Sequence, residues 1–356
     1  MIRVASLTSG RRQPSTRFRV RQYVTTLAAE GVEVHEMVPA IGNYRRLPGW
    51  PRGLRQGYAG PLLVAWNGVK LATRLPGVAA SWRHQVTWLQ RELLPGLPTL
   101  EGWLRRPLVF DVDDAVWLIP PLGRLTVRRI ARRAAVVVAG SAYLADHFSS
   151  DCHDVRVIPT AIDTERFQPA AAAEQPFTVG WTGLATNLPY LRQIAAPLHR
   201  FLVDHRDARL LIMADAAPDF ELAPAGRMEF RRWSEADEVS AVQEMDVGLM
   251  PLPDSPWTRG KCAFKMLQYM ACAVPVVVSP VGMNADVLAL GELGFGAATD
   301  DDWHDALACL YRDRDAGRRC GLEGRRVVED RFARTAVSRQ LAAVFHDVAG
   351  VVEGPS

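Results

Sequence analysis

The sequence predicts an α/β protein built from two parallel-sheet domains in tandem. Its 356 residues are too many for one ordinary domain and fit two comfortably. Apolar residues make up 48% of the chain, so each half can bury a core of its own. Short apolar runs typical of strands alternate with helical patterns along the whole chain, which is the order expected for parallel sheets.

Each half of the chain contributes a series of predicted strands separated by helices. In the first half we expect a helix at 17–30 and strands at 2–7, 32–38, 86–89, 108–112, 136–139 and 155–158. In the second half we expect strands at 178–181, 210–214, 228–230, 247–250 and 275–279. Two such domains in tandem create a cleft at their interface, the usual place for a ligand.

The predicted domain boundaries follow from composition. Residues 1–168 form the first domain and residues 177–332 the second. Between them, residues 169–176 are rich in Pro and Ala and lack a core pattern, which is typical of a linker. A last helix within 333–356 is expected to pack on either domain.

The chain lacks the signals of several other classes of protein. It contains no run of eighteen apolar residues, so we expect no transmembrane helix. Its first residues resemble a strand, without the apolar core of a signal peptide. The five cysteines fit no metal-ligand spacing. We therefore expect no metal site and a reducing cytoplasmic location.

The net charge of +3 conceals an asymmetry between the two halves. Residues 1–170 contain 23 Lys and Arg against 13 Asp and Glu, whereas the remainder contains 19 against 26. The first half is therefore expected to meet an anionic acceptor or lipid surface, or else it has arginine-rich surfaces that are simply well solvated.

One stretch of the first half interleaves arginines with aromatic residues. It spans residues 44–58 and includes Arg45, Arg46, Arg52 and Arg55 around Trp50. The residues that follow, 62–75, are largely apolar. This composition suits the headgroup layer of an anionic membrane, and a solvated loop is the alternative. No nucleic-acid motif accompanies it, so we expect no nucleic-acid partner.

Residues 246–282 contain the most informative pattern, a strand, a Pro-rich loop, a helix from about residue 261 and another strand. On that helix Lys261, Lys265, Gln268 and Cys272 would share one stripe. The chain has only three lysines, and two of them lie here. Ammonium groups near a helix N-terminus indicate a receptor for a diphosphate, unless the stripe is paired with neighbouring carboxylates.

This segment resembles the donor-binding motif of family 4 glycosyltransferases. The motif has two glutamates separated by seven residues, followed by Ala-Met-Ala-x-Gly-x-Pro-Val-Val, and residues 268–277 match its second half. The segment is similar to a bacterial subgroup with Trp-x-Arg-Gly-Lys and a second Lys four residues later. Three positions depart from the motif: Gly260 and Gln268 replace the two glutamates, and Ala273 replaces the usual glycine.

The resemblance implies a GT-B fold, in which two Rossmann-like domains face an interdomain cleft. It implies a retaining, metal-independent glycosyltransferase without cofactor, hexosyltransferase-like and of class EC 2.4. The donor would be a UDP-, GDP- or other nucleotide sugar, and the acceptor a glycan or lipid-linked glycan in polysaccharide biosynthesis. The enzyme would be cytoplasmic, with peripheral contact at the inner face of the membrane as a further expectation.

The resemblance also implies roles for individual residues of the second half. The loop from Gly183 to Asn187 would lie against the donor phosphates, with Arg259, Lys261 and Lys265 as their cationic partners. Gln268 would contact the ribose as a neutral substitute for glutamate. Arg231 and Trp233 follow a strand at the place where the family seats the nucleotide base, although Trp233 fits a core position equally well.

In the first half, a strand ends in Asp111, Asp113 and Asp114 and is followed by Trp117. Neighbouring carboxylates repel one another and require cations or hydroxyls nearby. The recognised subgroup has this Asp-x-Asp-Asp-x-x-Trp pattern, so Asp113 and Asp114 join Lys261 and Lys265 as catalytic candidates, contacting acceptor or sugar hydroxyls. A capped turn with solvated acids is the alternative.

Two rival functions follow from what the sequence lacks. Loss of both motif glutamates is compatible with a non-catalytic nucleotide-sugar or glycan-binding module. A GT-B epimerase or phosphorylase is the other rival, but no convincing site for a pyridoxal lysine is found. The first strand is not followed by G-x-G-x-x-G, which argues against a dinucleotide cofactor.

Overall fold

The computed structural model describes residues 1–11, 13–49, 60–170 and 176–353. The chain forms two compact units. Unit 1 combines residues 1–161 with the C-terminal segment from Arg334, and unit 2 comprises Ile162–Ala333. Each unit contains one six-stranded sheet in which all neighbouring strands are parallel, with α-helices between most successive strands. The predicted α/β class with two Rossmann-like domains is therefore confirmed.

The sheet of unit 1 has the strand order β2-β1-β3-β4-β5-β6. Its strands are β1 (Ile2–Leu7), β2 (Val32–Met37), β3 (Val86–Gln90), β4 (Leu108–Val112), β5 (Val136–Ala139) and β6 (Val155–Val157). Its helices are α1 (Pro14–Arg19), α2 (Val24–Ala29), α3 (Pro61–Ala72), α4 (Leu75–Ser81), α5 (Gly123–Ala131) and α6 (Ala142–Phe148).

Successive residues of these strands point to opposite faces of the sheet, so the unit has two cores. Trp88 and Val109 belong to one hydrophobic cluster, and their neighbours Leu89 and Phe110 belong to the other. Every residue of β3, β4 and β5 is buried. This burial on both faces explains the continuous apolar runs in the sequence.

The sheet of unit 2 has the strand order β12-β11-β10-β7-β8-β9. Its strands are β7 (Thr178–Gly183), β8 (Arg209–Ala214), β9 (Met228–Arg232), β10 (Val247–Met250), β11 (Val276–Val278) and β12 (Gly294–Gly296). Its helices are α7 (Leu188–Arg192), α8 (Ala195–Asp204), α9 (Glu238–Gln243), α10 (Pro256–Arg259), α11 (Phe264–Ala271), α12 (Met283–Leu288), α13 (Asp300–Arg312) and α14 (Arg314–Arg331).

The last helix, α15 (Arg334–Glu353), packs on unit 1. Val337 and Leu341 are buried in the same cluster as Trp88, and the Phe345 ring meets the Trp88 ring edge-on at 5.2 Å. None of the helices within the described ranges is long and apolar enough to cross a membrane.

The chain passes between the two units at residues 161 and 162, earlier than the predicted boundary at 168. Phe167 is only 1% exposed within unit 2. The Arg325 guanidinium of α14 donates to the Thr164 carbonyl at 3.0 Å and also to the carbonyl of Phe167. These contacts attach residues 162–168 to unit 2. Of the predicted linker at 169–176, residues 171–175 lie outside the described part of the chain.

All eleven predicted strands are present, each with its ends within two residues of the prediction. The helix expected at 17–30 is wrong as a single element. The structure has α1, a 3-10 turn over Arg21–Tyr23, and α2. The break lies at Val20, whose φ of −127° and ψ of −65° are not helical.

The residue before this break, Arg19, forms a buried ion pair with Asp111 at the end of β4. The two side chains are 1% and 0% exposed. Arg19 Nε and Nη2 donate to the two carboxylate oxygens at 2.9 and 3.0 Å, and Nη1 donates to the Ile158 carbonyl at 2.9 Å. Burial lowers the pKa of Arg19, but the Asp111 carboxylate outweighs burial and raises that pKa above its ordinary value. The guanidinium therefore stays charged.

We expect Asp111→Asn to lower the free energy of unfolding by about 3–5 kcal/mol, because it leaves a buried guanidinium without its carboxylate. Urea denaturation followed by circular dichroism measures the loss. Arg326→Ala is the control, since its partners Glu323 and Asp330 lie on the exposed surface of α14. It should unfold at the wild-type urea concentration. A loss below about 1 kcal/mol for Asp111→Asn would contradict the prediction.

Candidate functional site

Predicted site residues of unit 2 follow the carboxyl ends of its strands. In a parallel sheet these ends share one edge, where ligands of α/β domains bind. Gly183 ends β7, Trp233 follows β9, and the segment from Pro251 to Ala263 follows β10. The candidate donor site therefore lies at this edge of the sheet.

Gly183 and Lys265 are brought together at this edge. A Cβ atom on Gly183 would lie 2.8 Å from Lys265 Cε and 2.6 Å from Cη2 of Trp181, so a side chain there would displace one of them. Lys265 Nζ lies 5.5 Å from the centre of the Trp181 ring, within range of a cation–π interaction. The buried Trp181 ring therefore positions the ammonium group beside the end of β7.

The helix that contains Lys265 begins at Phe264, so the helix predicted from residue 261 starts three residues too early. Helix α10 ends at Arg259, and Ala263 has a φ of +49°, a left-handed conformation that interrupts a helix. Lys261 consequently lies in the connecting loop, and Cys272 lies just beyond the end of α11. Only Lys265 and Gln268 of the predicted stripe lie on the helix.

The loop around Lys261 is held by local contacts. Lys261 Nζ lies 5.7 Å from the centre of the Trp257 ring. Arg259 forms an ion pair with Asp254, with Nε–Oδ1 at 2.5 Å and Nη2–Oδ2 at 2.8 Å. A Cβ atom on Gly282 would lie 2.5 Å from the Arg259 carbonyl oxygen, so this glycine permits close approach of the two loops.

Gln268 is almost fully buried and forms part of a polar chain. Its Nε2 donates to Glu238 Oε1 at 3.0 Å, and Arg166 Nη1 donates to the other oxygen of Glu238 at 3.0 Å. Glu238 was not among the residues predicted from the sequence. Its position next to Asp237 at the start of a helix gave no signal that its partner would be Gln268.

Two further residues predicted for the donor site, Asn187 and Trp233, follow different strands of unit 2. Asn187 ends the 3-10 turn over Ala185–Asn187 that leads from β7 into α7. Trp233 donates its backbone N–H to Ala214 at 2.8 Å and is 39% exposed, so it is not a core residue.

Arg231 does not join the group at this edge. It is ion-paired with Glu229 and Glu244, with Nη1–Oε1 of Glu244 at 2.6 Å. Glu229 lies two residues earlier on the same face of β9, and Glu244 follows α9 shortly before β10 begins. These two ion pairs therefore hold the Arg231 guanidinium toward the start of β9, away from the carboxyl end of the strand.

In unit 1 the predicted carboxylates meet an arginine. Arg91 Nε donates to Asp113 Oδ1 at 2.6 Å, and Arg91 Nη2 donates to Asp114 Oδ2 at 2.5 Å. Burial opposes ionisation of Asp113, but the Arg91 charge prevails and lowers the pKa of Asp113 below its ordinary value. The predicted alternative of solvated acids is wrong, because these side chains are only 12% and 19% exposed.

Arg91 itself adopts a left-handed conformation, with a φ of +61°, directly after β3. Such strain in a residue with a side chain is typical of functional sites. Arg91 was not among the residues predicted from the sequence, although the polar run Gln90-Arg91-Glu92 directly after an apolar strand is a visible signal. Trp117, the last residue of the aspartate motif, stacks on His147 with ring centres 3.7 Å apart.

The neighbours of Arg91 are also buried and polar. Ser9 Oγ donates to Gln90 Oε1 at 3.2 Å. Gln90 Nε2 and Glu92 Oε2 are buried without a hydrogen-bond partner among the residues that the structure describes. Burial raises the pKa of Glu92 to about 7. The carboxyl end of β3 thus holds a carboxyl group that changes its charge near neutral pH.

This pKa predicts a pH-dependent stability. Between the ordinary pKa of 4.5 and the folded value of about 7, the folded chain retains a proton that the unfolded chain releases, so stability falls as pH rises through this interval. We expect Glu92→Gln to stabilise the chain by up to about 3 kcal/mol at about pH 8 and to have no effect at about pH 4.

Urea denaturation across this pH range measures the effect of Glu92→Gln. Glu221→Gln, at an exposed position of unit 2, is the control and should retain the wild-type pH profile. Parallel pH profiles for Glu92→Gln and the wild type would show that Glu92 ionises normally.

The sequence of unit 2 matches a known family. The family model described as glycosyl transferases group 1 matches residues 177–313. The matched segment includes Gly183, Lys261, Lys265 and Gln268. No curated protein sequence matches the chain significantly.

The fold of the whole chain is similar to solved structures. Sucrose-phosphate synthase from Thermosynechococcus elongatus aligns with a TM-score of 0.72 at 15% identity, covering 99% of this chain and 100% of that one. Anabaena HepE in complex with UDP-glucose aligns with a TM-score of 0.68 at 12% identity, covering 98% and 100%. A glycosyltransferase from Rickettsia africae aligns with a TM-score of 0.65 at 10% identity, covering 98% of each chain. The chain thus has the GT-B fold, and the family match in unit 2 supports a glycosyltransferase.

Proposed function

We propose that this chain is a retaining glycosyltransferase of family 4. It transfers a sugar from a UDP-, GDP- or other nucleotide sugar to a hydroxyl group of a glycan or lipid-linked glycan. The observation that carries this proposal is the placement of Lys265 against Gly183 at the carboxyl end of β7, within the segment that matches the family model.

The cations of unit 2 suit the chemistry of a departing diphosphate. When the bond from the anomeric carbon to the phosphate oxygen breaks, negative charge develops on the nucleoside diphosphate. Lys261 and Lys265 lie on the segment that would hold it. We assign the Gly183 loop to the same phosphates, with the Ala185 N–H already donated to Asp215 at 2.6 Å and the Asn187 N–H to the Leu184 carbonyl at 2.8 Å. The acceptor hydroxyl attacks from the same face, and its proton passes to the leaving phosphate oxygen.

Donor recognition involves a second group in this proposal. Gln268 and Glu238 together offer an amide and a carboxylate at the place where family 4 enzymes hold the ribose with a glutamate. The 3.0 Å hydrogen bond between them fixes the orientation of both groups. Because Anabaena HepE is solved with UDP-glucose, that nucleotide sugar is the first donor to test.

The acceptor side is assigned to unit 1. Asp113 and Asp114 lie beyond the carboxyl end of β4, and Arg91 pairs with both. Carboxylates that are already held by a cation accept hydrogen bonds from sugar hydroxyls without the cost of leaving a charge unpaired. We assign them to contacts with acceptor or sugar hydroxyls.

Substituting each lysine by alanine tests the donor site. We expect Lys261→Ala and Lys265→Ala each to weaken donor binding by about 1.5–3 kcal/mol, because each loses a charge-assisted contact. Isothermal titration with UDP-glucose and other nucleotide sugars measures the affinity. Arg318→Ala removes a cation from the exposed surface of α14 and is the matched control.

Two results of this experiment would change the assignment. Donor affinity within twofold of wild type in both lysine variants would remove the diphosphate site. Donor binding without release of free nucleotide, in the presence of any glycan acceptor, would favour the non-catalytic binding module instead.

We further propose that unit 1 contacts the inner face of an anionic membrane, where a lipid-linked acceptor lies. Helix α3 and the start of α4 expose apolar side chains: Leu62 is 72%, Val64 61% and Leu75 48% exposed. Arg45 and Arg46 are exposed nearby, and the Trp66 indole of α3 donates to the Arg45 carbonyl at 3.3 Å. The predicted Trp50, Arg52 and Arg55 lie outside the described residues.

Flotation with anionic vesicles tests this contact. Each surface cation contributes about 1 kcal/mol near an anionic leaflet, and buried apolar side chains add to it. We expect binding at low salt that weakens at high salt, and that is lost in the Leu62→Asp/Val64→Asp variant. Leu322→Asp, which alters a leucine 62% exposed on α14, is the control and should float normally. No flotation at low salt would remove the membrane contact and leave the enzyme assignment intact.

A further inference from the structure

Unit 1 has a cavity at the amino-terminal edge of its sheet, the edge opposite Asp113 and Asp114. It has a volume of about 520 Å³ and lies at the starts of β4 and β5, beside α15. This volume is within the usual range for small-molecule sites. None of the site residues predicted from the sequence lines it.

The lining of this cavity is strongly cationic. Four arginines and two aspartates contribute, namely Arg106, Arg132, Arg133, Arg156, Asp154 and Asp347. Arg156 binds both aspartates, with its guanidinium nitrogens 2.7 Å from Asp154 Oδ2 and 2.6 Å from Asp347 Oδ2. The two carboxylates are therefore already paired. Arg132 is ion-paired with Asp151, which lies outside the lining, with Nε–Oδ1 at 3.0 Å. Arg106 and Arg133 are the lining arginines without an ion pair among the described residues.

Arg133 has an unused donor at this site. Its Nε is buried from water and has no hydrogen-bond partner among the residues that the structure describes. This nitrogen is closed to a water-sized molecule, so an anion in the cavity would contact the Nη groups of Arg133, which are not among the buried atoms without a partner. Arg106 lines the same cavity and is exposed, so its guanidinium is accessible to the same anion.

The rest of the lining is apolar. It consists of short or aliphatic side chains: Pro107, Leu108, Ala134, Ala135, Val136 and Val348. A ligand that fits both parts has an anionic group and an apolar or planar body. Guanidinium groups bind phosphate through two parallel N–H donors, and the two guanidinium groups of Arg106 and Arg133 match the charge of a phosphate dianion.

We propose that this cavity is a binding site for a small organic phosphate, separate from the donor site of unit 2. The phosphate contacts Arg106 and Arg133, and the body of the ligand rests on the wall formed by Pro107 and Val348. This inference does not depend on the proposed transferase activity. If the arginines serve only to offset the dipole at the C-terminal end of α5, the cavity will bind no phosphate.

Calorimetric titration of the full chain with phenyl phosphate and with inorganic phosphate, at physiological ionic strength, tests the proposal. We expect one saturable site that prefers phenyl phosphate, because its ring covers the apolar wall. The Arg106→Gln/Arg133→Gln variant should bind at least about tenfold more weakly. Arg129→Gln, an exposed arginine of α5 outside the cavity, should bind as the wild type does.

A second measurement locates the ligand without any substitution. Phenylglyoxal modifies accessible arginines, and peptide mass spectrometry identifies them. Phenyl phosphate should protect Arg106 and Arg133 but not Arg129, and protection should persist in the Lys261→Ala/Lys265→Ala variant. Absence of saturable binding, undiminished binding in the double-glutamine variant, or equal modification of Arg106 and Arg133 with and without phenyl phosphate would each overturn the proposal.

Discussion

All strands of each sheet run in the same direction, and most of the chemistry described here depends on this constraint. Parallel strands place every carboxyl end on one edge, so side chains distant in sequence meet there without a dedicated loop. In unit 2 this edge unites Gly183 with Lys265, which are more than eighty residues apart. In unit 1 it unites Arg91 with Asp113 and Asp114. The opposite edge of unit 1 is left for the arginine-lined cavity.

The strands were predictable because burial on both faces produces unbroken apolar runs. The strand that was missed, β12, contains Phe295 between two glycines and has no such run. Helix boundaries were less predictable, since they depend on partners remote in sequence. Helix α1 ends where Arg19 turns toward Asp111, 92 residues later. The start of α11 is set by the left-handed backbone of Ala263, a residue type that gives no warning of it.

The candidate site, like the fold, contains residues that the sequence predicts and partners that it does not. The scarcity of lysine drew attention to Lys261 and Lys265, and the aspartate motif drew attention to Asp113 and Asp114. The partners of these residues were not visible, because ion pairing across strands has no sequence pattern. Arg231 illustrates the limit: its position after a strand suggested a ligand contact, but Glu229 and Glu244 hold it elsewhere.

Gln268 and Glu238 are best considered together. Two carboxylates whose oxygens lie about 3 Å apart repel each other, so one of them must be protonated, at a cost in free energy. A glutamate at position 268 would face Glu238 at about the distance of the present hydrogen bond. The neutral amide removes that conflict, and α9 supplies one carboxylate, which Arg166 also binds at 3.0 Å. The glutamine at residue 268, where the motif that this segment resembles has a glutamate, is thus coupled to Glu238, so that one carboxylate, paired with Arg166, is present at this place.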